Sequence, residues 1–232
     1  MQIDKDRARW SVPVIRWIEW DAHPQRNGAP PSSELGFIDP LLRRRLSPLA
    51  RMSLKVAKDC VGERASVRMV YASRHGELNR TTEMLQDLAA GESVSPAAFS
   101  LSVHNASTGL FSIARKDMAP ATAISAGDES FGFGLLEACL QLASAPAVPV
   151  LLVYADEPVP DLYGAADTDC AHAIGLLLGD GAGTHIDCSY GENGDEESGE
   201  PQSRAFLRCL KQGAAAQWRG ARNAWSWEPR AQ

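Results

Sequence analysis

Two histidines, a short run of carboxylates and a bend that lacks a nucleophile are the residues with chemical potential in this sequence. Residues Ala121-Thr-Ala-Ile-Ser-Ala-Gly-Asp-Glu-Ser130 read as a short strand entering a tight turn, and Phe131 to Leu142 as the helix that follows. A strand–turn–helix junction exposes one side chain at the helix N-terminus, where the dipole and free N–H groups favour an anion. Enzymes place a Cys or Ser nucleophile there. Here Gly127 occupies the bend, followed by Asp128, Glu129 and Ser130. Gly127 fits a left-handed turn or relieves a strained φ. Asp128 and Glu129 are expected as cap and dipole partners of the helix, the alternative being an acid/base pair.

The remaining polar candidates lie upstream. Arg74-His75-Gly76-Glu77 follows the end of a strand, where α/β folds place ligand sites, or it is a polar turn with a surface ion pair. His104 and Asn105 open a helical stretch, and His104 is the expected central residue of any site, either orienting that helix or pairing with a carboxylate. Ser130, His104 and Asp128 compose a Ser–His–Asp set on paper, but no G-x-S-x-G elbow accompanies them. Asp167, Asp169, His172 and His185 lack metal-ligand spacing, so neither a metal nor a cofactor is expected.

The elements that must position these groups follow from pattern. Val12–Ile18, Val67–Ser73 and Ala147–Ala155 read as strands, the last apolar throughout and suited to burial on both faces, with Ala171–Leu178 another inner strand. Ser47-Pro48 starts a helix that puts Leu49, Met52, Val56 and Cys60 on one face. Asn79 is read as the cap of a helix to about Ala90, Ser95-Pro96 repeats the cap signal, and a helix runs from near Val103 to Ala114. The helix after Ser130 is apolar on nearly all sides, the pattern of a fully buried helix. Residues 21–31 and the acidic run 191–200 read as loops, and a final helix is expected from about Ser203 to Trp218. All six tryptophans fall in the first 20 or last 15 residues, and the termini are expected to pack together as a satellite cluster. Strands alternating with helices predict an α/β sheet with helices on both faces.

Composition excludes several classes. The 232 residues carry a net charge of −6, with 44% hydrophobic and 22% charged residues, which suits a globular chain and argues against nucleic acid or an anionic membrane. Five scattered cysteines (Cys60, Cys139, Cys170, Cys188, Cys209) form no C-x-x-C pair, the pattern of a reducing compartment. The polar start leads into no signal-like stretch and no run approaches the ~20 apolar residues of a membrane span, so a cytoplasmic location is expected.

Ser102-Val-His-Asn-Ala-Ser-Thr-Gly-Leu-Phe-Ser-Ile-Ala114, followed by Ala121 to Ser130, resembles the N-terminal half of a β-ketoacyl synthase. In that family an Asn-Ala-x-x-Gly helix precedes a strand ending Thr-Ala-Cys-x-x-Gly, whose Cys carries the acyl chain. Arg44 to Ala57 resembles the family's first long helix, and Ala171 to Leu178 the strand closing its first half. Arg74-His-Gly-Glu77, Val103-His-Asn105, Ser125 to Ser130 and Asp156-Glu-Pro158 are similar to the short chain-length-factor-like members of aryl-polyene pigment clusters. The resemblance implies a thiolase-like half fold, with a mixed sheet of about five strands around a buried central helix. It implies a ketosynthase-like domain at 1–190 and, at 191–232, an acidic loop, helix and Trp-rich basic tail packed on it.

Gly127 then stands where the nucleophilic Cys would be, and the half that carries the catalytic histidines is absent. The resemblance implies a non-catalytic accessory protein of a fatty-acid- or polyketide-like pathway, with a ketosynthase or an acyl carrier protein as partner and a homo- or heterodimeric state. The alternatives are an enzyme acting on a carrier-bound acyl chain through His104, His75, Glu77, Asp128, Glu129 or Ser130, with Arg74 and Asn105 lining its pocket, and a homodimeric scaffold. The enzyme reading requires a histidine and a carboxylate within hydrogen-bond reach beside an open pocket.

Overall fold

Trp10, Val12 and Val14 point to one side of a long strand and Arg9 and Ser11 to the other, so this segment can only fold with one face covered. In the computed structural model, which describes residues 2–4, 7–21, 30, 32–164, 171–181, 183–192 and 196–230, the strand runs from Arg7 to Asp21 (β2), behind a short β1 at Gln2–Asp4. A register shift between Val14 and Arg16 resets the alternation, so that Trp17 stays on the first side while Ile15 and Ile18 turn to the second. Three parallel strands, β3 (Arg68–Ala72), β4 (Ala121–Ile124) and β5 (Val150–Asp156), form one wing of the sheet. Antiparallel β6 (His172–Leu178), β7 (Thr184–Glu192), β8 (Ala216–Arg219) and β9 (Asn223–Pro229) complete the order β4-β3-β5-β6-β2-β7-β9-β8, with β1 also on β2. The mixed sheet therefore has nine strands among the described residues, not about five. The excess comes from β1, β7 and the β8–β9 hairpin.

Helices cover both faces. On one lie α2 (Pro48–Val61) and α5 (Ala106–Arg115), behind a short α1 (Pro40–Arg43). Ser47 caps α2 by accepting from the Ala50 N–H at 2.9 Å, and Gly62, at φ 61°, ends it. Between α2 and α5 come α3 (Leu78–Ala89) and α4 (Pro96–Ser100). Asn79 is not the cap of α3: that position is Glu77, and Asn79 Nδ2 donates to the Pro158 carbonyl.

On the other face lie α6 (Ser130–Ser144) and α7 (Gln202–Gln212). Gly134 lets α6 touch β3: a Cβ there would sit 2.7 Å from that of Ala72, which accounts for part of the Phe-Gly-Phe-Gly run. The C-terminus of α6 is closed by Arg68, whose guanidinium donates to the Gln141, Ala145 and Val148 carbonyls at 2.6, 2.8 and 2.6 Å. The helix is not buried all round. Phe131, Leu135, Ala138 and Leu142 enter the core, whereas Leu136 is half-buried and Leu140 is 47% exposed.

The expected long C-terminal helix stops early. Gly213, at φ 62°, ends α7, and Trp218 belongs to β8. The signal was the two-residue period of Trp225-Ser-Trp227, which places both indoles on one side of β9. Nor do the tryptophans form a satellite. Trp218, Trp225 and Trp227 are buried in the main core, with Trp10 edge-on to Trp225 at 6.0 Å. Of the expected loops, 22–29 and 193–195 lie outside the described residues, as do Asp167, Asp169 and Cys170.

Candidate functional site

The β4–α6 turn folds by consuming its own polar groups. Gly127 takes φ 58°, and nothing lies within 4 Å of where its Cβ would be. Ser130 Oγ donates to the Gly127 carbonyl at 2.6 Å and accepts from the Ala126 N–H at 2.8 Å; fully buried, it is a tie of the turn. Neither acid caps α6 with its side chain, contrary to the expected role. Asp128 pairs with Arg74 Nη1 at 2.8 Å. Glu129 reaches across to the C-terminal hairpin, accepting from Trp225 Nε1 at 2.7 Å and Asn223 Nδ2 at 2.8 Å.

The upstream candidates divide in the same way. Arg74 Nε donates to His75 Nε2 at 2.6 Å, so a single guanidinium joins His75 to Asp128. Burial and then the Arg74 charge hold His75 below the usual imidazole value. Glu77 is buried; it accepts from Ser47 Oγ, 30 residues away in sequence, at 2.6 Å and from Arg80 Nε at 3.2 Å, tying α2 to α3. His104 Nε2 donates to the Ile124 carbonyl at 2.9 Å and its ring lies 5.6 Å from that of Tyr71. Its other nitrogen crowds Gly76, at φ 57°, where a Cβ would fall 2.7 Å from Nδ1. Asn105 is exposed at the start of α5 and makes no side-chain cap.

A cleft of about 390 Å³ opens at the carboxyl ends of β3 and β5, the place an α/β sheet offers to ligands. Of the candidates it gathers Arg74, His75 and Asp128; Glu77, His104, Asn105, Glu129 and Ser130 do not line it. Its floor contains Asp156, which accepts from Ser73 Oγ at 2.8 Å, the Arg74 N–H at 2.9 Å and Tyr154 Oη. Burial raises the Asp156 carboxyl above its ordinary value, against the opposing effect of those donors. Beside it His172 Nε2 bonds Ser203 Oγ at 2.6 Å, and the α7 start and the β8–β9 turn close the far wall. Tyr154 also lines the cleft without being a sequence candidate, and His172, set aside in the sequence for lack of metal-ligand spacing, lines it too. The position of Tyr154 at the end of the apolar β5 run was the available signal.

No histidine–carboxylate hydrogen bond is formed by His75 or His104: the first accepts from an arginine and the second serves a backbone carbonyl. The thiols are equally quiet. Burial pushes Cys60 and Cys139 up to about 12 and Cys209 to about 11, and raises Cys188 well above its ordinary value. Among the described residues no three side chains compose a metal site, and no helix is long and apolar enough to cross a membrane.

Comparison with known proteins agrees with this architecture. Among solved structures the chain is similar to one from the ketosynthase (ApeO) in complex with its chain length factor (ApeC) from Xenorhabdus doucetiae. The TM-score is 0.78 at 29% identity, over 94% of this chain and 99% of that one. The ishigamide ketosynthase/chain length factor gives 0.58 at 15% identity, over 80% and 59%. A β-ketoacyl synthase from Burkholderia phymatum gives 0.54 at 12%, over 74% and 54%. The last two are likenesses of fold, and the chain spans little more than half of each. No curated protein matches. The family model for the β-ketoacyl synthase N-terminal domain matches residues 17–228, and with the thiolase-like half fold in hand the chain belongs to that family.

Proposed function

We propose that the protein is a non-catalytic, chain-length-factor-like accessory subunit that pairs with a ketosynthase in a fatty-acid- or polyketide-like pathway of the aryl-polyene kind. The observation that carries the reading is the β4–α6 junction. Its bend carries a left-handed glycine, Gly127, and no nucleophile, and its outer side is unfinished. Among the described residues β4 pairs only with β3. The neighbouring face of α6 presents Phe133, Leu136, Glu137 and Leu140, with Ile124 and Ala126, around an open, mainly apolar hollow of about 400 Å³. An unpaired edge beside the exposed Leu140 is what a strand-to-strand subunit contact covers. The first structural neighbour comes from a ketosynthase–chain length factor complex, which favours a ketosynthase as the occupant. Decarboxylative condensation needs a thiolate to hold the acyl group, and the four described thiols are buried or half-buried, with burial raising each above its ordinary value. The reading places the protein in the cytoplasm, with an acyl carrier protein reached through the ketosynthase. Catalysis through His104 is disfavoured because its imidazole supports a backbone carbonyl.

The test is co-expression with the ketosynthase encoded nearest to it in its native host, followed by light scattering and a condensation assay. A heterodimer is expected, and the chain alone should release no β-ketoacyl product. Leu140→Asp should weaken association at least 100-fold, since it forfeits the roughly 1.5–3 kcal/mol of burying a leucine and strands a charge in the contact. A monomer indifferent to the ketosynthase, a homodimer that excludes it, or product formed by the chain alone would each overturn the proposal.

A further inference from the structure

One charge stands in the contact proposed for the β4 edge. Across β4 and α6 the sequence holds a single charged residue, Glu137, and neither element carries a lysine or arginine. Glu137 is half-buried and shares the hollow beside the strand with Phe133, Leu136, Leu140 and Ile124. Its carboxylate is held toward the edge. Gln141 Nε2 donates to Glu137 Oε1 at 2.8 Å and to Thr122 Oγ1 at 3.1 Å, so one amide ties the carboxylate to β4. Thr122 and Ile124, two apart on the strand, share its α6 side.

No ion pair with a described residue engages Glu137, and no other charged residue lines the hollow. Arg68 on β3 donates to the carbonyls at the end of α6, and Arg115 on α5 to those of Arg64 and Ala65. Before the strand, Asp117 accepts from Ser66 Oγ and the Val67 N–H, and Lys116 stands exposed in the left-handed turn that ends α5. After it, Asp128 pairs with Arg74 and Glu129 holds the hairpin. A carboxylate without a counter-charge becomes costly once a partner excludes water from it. A second copy of the chain cannot relieve that cost. Copies joined through this hollow would meet patch to patch, bringing a second Glu137 and no cation from the matching surface. Like charges so placed oppose the pairing. A partner that sets a guanidinium or ammonium beside the carboxylate satisfies it.

We propose that Glu137 selects the occupant of the β4 edge: it receives a lysine or arginine of the partner subunit and turns away a second copy of this chain. The inference rests on the ketosynthase pairing proposed above. It adds the charge that the ketosynthase must present there, set among apolar side chains that fill the rest of the hollow.

The co-expressed ketosynthase is titrated with the full chain as wild type, Glu137→Gln and Glu137→Lys, by biolayer interferometry at low and high salt, and each chain alone is followed by sedimentation equilibrium. Glu137→Gln keeps an acceptor for Gln141 and removes only the charge; thermal melts confirm that each variant folds. It should bind the ketosynthase about 10-fold more weakly than wild type, with a flatter salt dependence, and Glu137→Lys about 100-fold more weakly. Alone, Glu137→Gln should self-associate about 10-fold more tightly than wild type. A residue that only packs α6 would weaken both associations or neither. The inference is overturned if either variant binds the ketosynthase as tightly as wild type, or if Glu137→Gln self-associates no more than wild type, and the pairing itself then stands. Absence of any pairing between the wild type and the ketosynthase overturns the accessory-subunit reading and this inference with it.

Discussion

Replacing Glu129 by alanine asks whether the β4–α6 turn holds the C-terminal hairpin onto the molecule. The Glu129 carboxylate is the acceptor for both Trp225 Nε1 and Asn223 Nδ2, at 2.7 and 2.8 Å. Trp225 is 1% exposed, so truncating Glu129 removes the acceptor of an indole set in the core. A hydrogen bond to a charged group contributes about 1.5–3 kcal/mol, and an orphaned buried donor forfeits its solvation as well. Discounted for non-additivity, the two bonds set the loss at about 3–4 kcal/mol. In a chain of this size each kcal/mol lowers Tm by about 2–4 °C, so the fall should be roughly 6–16 °C. A Glu acting only on the helix dipole would contribute about 0.3–1 kcal/mol. Urea titration followed by tryptophan fluorescence separates the two. Asn223→Ala alone should cost about 1–2 kcal/mol, and the double variant less than the sum, because the pair shares one carboxylate. A loss below about 1 kcal/mol for Glu129→Ala would refute the clasp.

Gly127→Cys should fold, since space for the side chain is open, at a cost of about 1–2 kcal/mol for the left-handed backbone; iodoacetamide with mass spectrometry should find that thiol alkylated well before Cys60 or Cys139. Arg68→Met keeps the stem and removes three bonds to the end of α6, so it should cost about 2–3 kcal/mol and abolish hydrogen-exchange protection in that last turn. Burial raises the Glu77 carboxyl above its ordinary 4.5, against Ser47 and Arg80; a raised folded value means the native state holds the proton more tightly, so lowering the pH from 7 toward 4.5 should stabilise the wild type relative to Glu77→Gln. A constant difference between the two denaturation curves over that range would show that Glu77 does not titrate as its burial implies.

Legibility in the sequence followed from where the determining contacts lie. Local contacts were readable. The Ser47-Pro48 cap, the left-handed Gly127 and the unbroken apolar runs of β5 and β6 are each set by neighbours in the chain. The fate of the polar candidates was not. Glu129 is satisfied by residues 94 and 96 positions away, and Glu77 by one 30 away. A carboxylate beside a helix start looks the same in sequence whether it caps that helix or clasps a distant strand. The C-terminal hairpin is masked in the sequence because Phe206, Leu207 and Leu210 sustain a helical period that the tryptophans beyond Gly213 can be made to extend. Only the αL glycine and the two-residue spacing of Trp225 and Trp227 argue otherwise.

The junction and the hairpin bear on each other. A turn built to present a reactive side chain must leave that side chain free and its neighbours arranged around a substrate. Here the bend carries no side chain, and the three residues after it are all committed: Asp128 to Arg74, Glu129 to the hairpin, Ser130 to the turn itself. The hairpin held by Glu129 brings Trp225 and Trp227 under one side of α6, with Phe131 edge-on to Trp227 at 6.4 Å and Phe133 to Trp225 at 5.2 Å. One side of the central helix is therefore covered from within the chain. The side that remains open, around Leu136 and Leu140, adjoins β4, which pairs only with β3 among the described residues. Apolar surface left over from a missing half would lie open wherever that half had packed. Apolar side chains are also exposed away from that edge, Leu85 and Leu88 on α3, Phe99 on α4, Ile113 on α5 and Met118 after it, so the open side of α6 is one of several uncovered surfaces, set apart by the unpaired strand beside it.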